Sequence, residues 1–135
     1  MVLCDIGGFN LLMNNLNKSQ DLDLKSKYIL TLGSSLQSNP YVKIHALDSN
    51  LLQLILNQID DKSIKADKSI VELFMSRLIF SLSGLLRNFP VAQNKFIQYG
   101  GIKTLNQLLK RNDYTFKLKT KVLTLINDLA AERVI

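Results

Sequence analysis

The chain resembles itself. LGSSLQSNP (Leu32 to Pro40) matches LSGLLRNFP (Leu82 to Pro90) at Leu, Leu and Pro, 50 residues later. LINDLAAER (Leu125 to Arg133) keeps the first Leu and has Leu129 in place of the second, a further 43 residues on, without the proline. Helix starts recur as well. Gly7-Gly8-Phe9 precedes Leu12 and Leu16, Ser49-Asn50-Leu51 precedes Leu54, and Gly100-Gly101-Ile102 precedes Leu105 and Leu109, at spacings of 42 and 51 residues. The longer spacing contains DDKSIKADKS (Asp60 to Ser69), a polar stretch that reads as an extended loop. A period in the low forties with several helices per unit is the mark of armadillo or HEAT solenoids, in which each unit covers the apolar face of the next.

The order inside a unit favours the armadillo form. Pro40 and Pro90 suit a first helical turn, since proline has no N–H to lose there. A short helix, a break of small residues, a second helix, a polar loop and a long third helix follow. The periodicity predicts helices at about 8–17, 22–38, 40–47, 50–59, 68–88, 90–98, 101–111 and 115–131. Stripes such as Ile29, Leu32, Leu36 and Val122, Leu125, Ile126, Leu129 read as core. The expected fold is one all-α domain over 1–135. It is an armadillo-repeat, right-handed superhelical solenoid of about two and a half to three units, at 7–38, 39–88 and 89–133, and it reads as a piece of a longer solenoid.

Composition agrees with that class and narrows the chemistry. Of 135 residues, 47% are hydrophobic and only two are proline, which fits packed helices better than a sandwich or barrel. The net charge is +6, which favours an acidic partner. The lysines are scattered, with no interleaving of basic and aromatic residues of the kind that grips nucleic acid. No stretch is read as a membrane span or a signal peptide. Cys4 is the single cysteine, so no disulfide closes within the chain.

No catalytic or metal constellation is signalled. His45 is the only histidine, with no second ligand or nucleophile at a useful spacing. Asp60-Asp61 beside Lys62 reads as a solvated turn. The Gly7-Gly8 and Gly100-Gly101 pairs lack the pattern that cradles phosphate and read as helix entries. No cofactor is expected, and the chain is not read as an enzyme. Asn17-Lys18-Ser19 is an N-glycosylation sequon in an expected exposed loop.

Two stretches carry a more specific likeness. SRLIFSLSGLLRNFPVAQNKFIQYGG (Ser76 to Gly101) and LGSSLQSNPYVKIHAL (Leu32 to Leu47) resemble the armadillo-type nucleotide exchange factors of the seventy-kilodalton heat-shock chaperones. The endoplasmic-reticulum Sil branch that serves BiP is the nearest, in its fungal form. The likeness runs from about Gly7 to Arg133, and the chain looks like a C-terminal part of such a protein. It implies a non-enzymatic clamp on lobe two of the chaperone's nucleotide-binding domain, which releases ADP and supports protein folding and translocation. By the same resemblance the location would be the lumen of the endoplasmic reticulum, and the protein a monomer apart from its chaperone complex.

The third helices of such a solenoid line its concave face. Nuclear import receptors place a Trp and an Asn there, one turn apart. Alignment on Leu36, Leu86 and Leu129 puts the Trp position at Thr31, Ser81 and Thr124, and the Asn position at Ser35, Leu85 and Asp128. The chain has no Trp, which argues against an import-receptor groove. With Lys27, Arg77, Arg87 and Lys121 nearby, these ten residues form the expected partner-binding face. The alternative is an armadillo scaffold or adaptor for some other protein, which the generic repeat pattern alone would support.

Overall fold

A computed structural model describes residues 7–37 and 39–135 of the chain. Cys4 and Ser38 lie outside the described residues. Among those residues there are eight helices and no strand. They are α1 (Gly8–Lys18), α2 (Leu22–Leu36), α3 (Pro40–Asp48), α4 (Leu51–Asp60), α5 (Lys68–Leu86), α6 (Pro90–Gln98), α7 (Gly101–Lys110) and α8 (Phe116–Ala131). A short helix, a medium one and a long one thus follow each other twice, after a leading pair.

Local chemistry sets these boundaries. α3 begins at Pro40 behind Asn39, whose side chain accepts from Tyr41 N at 3.0 Å and Val42 N at 3.4 Å. That satisfies donors the helix leaves orphaned. α6 likewise begins at a proline, Pro90. Each medium helix opens on a left-handed residue: Gly7 (φ 74) before α1, Asn50 (φ 66) before α4 and Gly100 (φ 77) before α7. Glycine and asparagine tolerate this conformation best. The recurrent Gly-Gly and Ser-Asn starts are therefore one sharp turn used three times.

Two rows of helices result. The long helices α2, α5 and α8 lie side by side, as do α4 and α7 behind them. Arg77 reaches Ser26 and Ser81 reaches Ile29, so α2 and α5 run parallel. The pairs Lys121–Ser76 and Arg87–Asp128 show the same for α5 and α8. Sequence separations across these ties match the repeat: 51 for Arg77–Ser26, 52 for Ser81–Ile29, 45 for Lys121–Ser76, 44 for Thr104–Asp60 and 43 for Thr115–Glu72. One apolar cluster runs from Phe9 through Leu82 to Leu129.

Two expectations are corrected here. Lys68–Leu86 is long and apolar enough to cross a membrane by length and composition, where no such stretch was expected. Its apolarity follows from its place: α5 is flanked by both other long helices and buries Phe74, Leu78, Leu82 and Leu85. Asp60 and Asp61 are more than a solvated turn. Asp60 ends α4 and accepts from Thr104 Oγ1 on α7 at 3.1 Å. Asp61 accepts from Ser63 N at 2.8 Å and Ser63 Oγ at 2.6 Å. Those bonds hold its pKa below the usual value, with Lys25's charge adding in the same direction.

Candidate protein-binding face

The parallel row α2–α5–α8 positions the expected contact residues. Lys27, Thr31, Arg87, Lys121 and Thr124 are exposed, and Ser35, Arg77 and Asp128 are half-buried. Lys27 pairs with Asp23 at 3.3 Å, one turn back on α2. Arg77 Nη1 donates to Ser26 Oγ at 2.8 Å, and Lys121 Nζ donates to Ser76 Oγ. Arg77 and Lys121 thus each lean onto the preceding long helix. Arg87 Nη2 meets Asp128 Oδ2 at 3.3 Å, so exposed Arg87 and half-buried Asp128 lie together as a pair.

Ser81 and Leu85 do not belong to this face. Both are fully buried. Ser81 Oγ lies 3.1 Å from Ile29 O and 3.0 Å from Arg77 O, sharing its one hydroxyl hydrogen between them inside the seam between α2 and α5. Leu85 is part of the core cluster.

What the face presents instead is an apolar row. Leu30, Phe80 and Leu123 are 38%, 39% and 46% exposed. Each stands six residues before the aligning leucine of its long helix, Leu36, Leu86 or Leu129. That shared offset was the signal in the sequence that would have located them. Phe80's ring lies against Gly33 of α2, close enough that a Cβ there would crowd it at 3.0 Å. The row is flanked by Arg77 and Lys121, whose polar partners are neutral hydroxyls.

At the helix ends, the segments that carried the likeness to exchange factors come together. Gln37, Asn39, Pro40, Lys43, Asn88 and Phe89 line one recess of about 410 Å³, mostly apolar. Lys43 Nζ donates to Arg87 O at 2.7 Å. Burial pushes its pKa down, and the Arg87 charge adds to that. Asn88 N donates to Glu132 Oε1 at 2.9 Å, and Gln93 Nε2 bonds Leu86 O at 2.9 Å and Glu132 at 3.0 Å. These ties fix the LRNFP turn against the end of α8.

Two other singled-out groups lie elsewhere. His45 packs edge-on against Phe9, ring centroids 5.1 Å apart, with Ser49 Oγ at 3.5 Å. Asn17 is exposed, in the last turn of α1 rather than in a loop, and Ser19 Oγ accepts from Asp21 N at 3.2 Å.

The long helices run parallel and present apolar side chains at one register, among hydroxyls and cations. They belong to an all-α array of repeated helices. The chain belongs to the family of the SIL1/FES1/HPBP1 C-terminal domain, whose model matches residues 1–135. Nucleotide exchange factor SIL1 of Rattus norvegicus is 31% identical over 132 residues, covering 97% of this chain and 26% of that protein. The Xenopus laevis protein of the same name is 31% identical over 134 residues, 98% of this chain and 27% of its own. The Drosophila melanogaster Sil1 exchange factor is 26% identical over 138 residues, 98% and 30%. The chain spans about a quarter of the length of the curated relatives it matches. These relatives carry the name of an exchange factor, not of an enzyme. No solved structure matches.

Proposed function

We propose that the chain is the part of a nucleotide exchange factor that grips its chaperone. It binds lobe two of the nucleotide-binding domain of a BiP-type heat-shock chaperone in the lumen of the endoplasmic reticulum, and promotes ADP release without catalysing a reaction. One observation carries this reading: the family match spans the whole chain, and its relatives are named for the activity. The repeated helix order supports armadillo units at 7–38, 39–88 and 89–133, with the long helices on a concave side. The contact surface would be the Leu30–Phe80–Leu123 row with Lys27, Thr31, Ser35, Arg77, Arg87, Lys121, Thr124 and Asp128 around it.

ADP release tests this. Fluorescent ADP is loaded on the nucleotide-binding domain and chased with ATP, with and without the chain. The expected outcome is faster release that weakens as salt rises, because cations frame the contact. Phe80→Glu with Leu123→Glu should abolish the acceleration while leaving helix content unchanged, since both side chains are already exposed. A folded chain that neither binds the domain nor speeds release would overturn the reading. A double variant that works as well as the original would remove the apolar row from the contact. Asn17 is a candidate glycosylation site, and a mass on the native protein that glycosidase or Asn17→Gln removes would support the lumenal location.

A further inference from the structure

On the other edge of the molecule, the turn between α1 and α2 and the loop between α4 and α5 enclose a polar recess of about 470 Å³. Lys18, Lys25, Lys65, Gln58, Asp61 and Ser63 are among its lining. Lys25 is 8% exposed and Gln58 7%. The Lys25 ammonium donates to Gln58 Oε1 at 2.6 Å and stands 5.5 Å from the centre of the Phe74 ring. No carboxylate among the described residues forms an ion pair with it. Asp61 contributes only at longer range, and its oxygen is taken by Ser63.

An ammonium has three N–H donors, and here one meets a protein acceptor. A buried charge without a partner is costly, and burial accordingly lowers this group's pKa. Water can fill such a space. The charge favours something else, because three ammonium groups face one carboxylate across the recess. Its size is that of small-molecule sites rather than of a macromolecular groove.

We propose that this recess binds a small oxyanion, with a carboxylate or phosphate group seated on the Lys25 ammonium and Lys18 and Lys65 across the mouth. This site is separate from the long-helix face, and nothing in it rests on the chaperone reading. The test is a titration of the chain with inorganic phosphate, and in parallel with acetate, followed by amide NMR at ionic strength held constant with sodium chloride. Saturable shifts are expected at Lys25, at the Gln58 side-chain amide and at Ser63, and Lys25→Met should remove them. Lys103→Met, at an exposed position on α7, should keep them. If Lys25→Met does not fold, Lys18→Met with Lys65→Met, both exposed, should weaken the binding several-fold. Saturation by phosphate alone or by both anions supports the site and says which group it takes. Shifts that never saturate, that chloride reproduces, or that survive both sets of substitutions would overturn it.

Discussion

Just after α7, Arg111 holds Asp113 through both carboxylate oxygens, with Nε to Oδ1 at 2.9 Å and Nη2 to Oδ2. Its guanidinium also lies 4.6 Å from the centre of the Tyr114 ring. The Arg111 hydrogen bonds hold the Asp113 carboxyl at about 2, against an ordinary 3.8. A depressed acid contributes stability above its unfolded pKa and loses it as pH falls through the folded one. The contribution of this pair should therefore fade between 3.8 and about 2. Arg111→Gln should return the midpoint of Asp113 towards 3.8, read from its carboxyl resonance in a pH titration. A midpoint that stays near 2 would assign the shift to Lys68 or the backbone instead. The proposed contact face was only partly legible at this level of detail. One residue along a helix turns the side chain by about 100°. On α5 that step separates buried Ser81 from exposed Phe80. Thr31 and Thr124, in the register of Ser81, are nonetheless exposed. The difference is packing: Ser81 sits in the tight α2–α5 seam beside Gly33, Thr31 has no long helix before its own, and Thr124 lies on α8, which meets α5 much less closely. Register alone does not carry that information, so Ser81 and Leu85 were misplaced.

The helices themselves were legible almost throughout, because proline starts, left-handed turns and apolar stripes are all local. The exceptions are the ends of α2 and α5, which stop two residues before the periodicity suggests. At α5 the reason is visible: Arg87 is extended, Asn88 has φ 53, and Phe89 before Pro90 is non-helical, at φ -130 and ψ 84. Less legible was how closely α2 and α5 approach. A Cβ on Gly33 would collide with Ser81 Oγ and crowd the Phe80 ring. Ser81 cannot easily move, since it is buried and bonded to Ile29 and Arg77. At Gly84 the obstacle is the amide of Gln37, the far end of an exposed side chain. Replacing a helical glycine by alanine gains up to about 1 kcal/mol of helix propensity. Overpacking a tight seam costs about 1–3 kcal/mol. Gly33→Ala should thus lower stability, whereas Gly84→Ala should be neutral or raise it, both measured as denaturant midpoints. Equal losses at the two sites would mean the backbones cannot separate at either.

Across the whole chain, tertiary contacts join nearest neighbours: each helix to the next, and each long helix to the long helix one unit away. In such an array stability is close to a sum of units and interfaces, so it should vary along the chain. α5 touches α2 and α8 on its flanks and α3, α4 and α6 around them. α1 packs chiefly on α2, and buries only Phe9 and Leu16 among its own residues. Native-state hydrogen exchange should therefore rank α5 amides slowest and α1 amides fast. Truncating a buried leucine removes roughly 2–5 kcal/mol wherever it lies, but its reach should depend on position. Leu82→Ala, at a fully buried position in the C-terminal half of α5, should speed exchange in every helix, because α5 holds both flanking interfaces. Leu16→Ala should speed exchange in α1 and part of α2 and leave α6 to α8 at their original rates. If the two substitutions instead lowered protection equally from α1 to α8, the chain would unfold as one cooperative body. The same measurement with the proposed chaperone partner present would then show whether binding adds protection along the whole row α2–α5–α8 or only at Phe80's own helix.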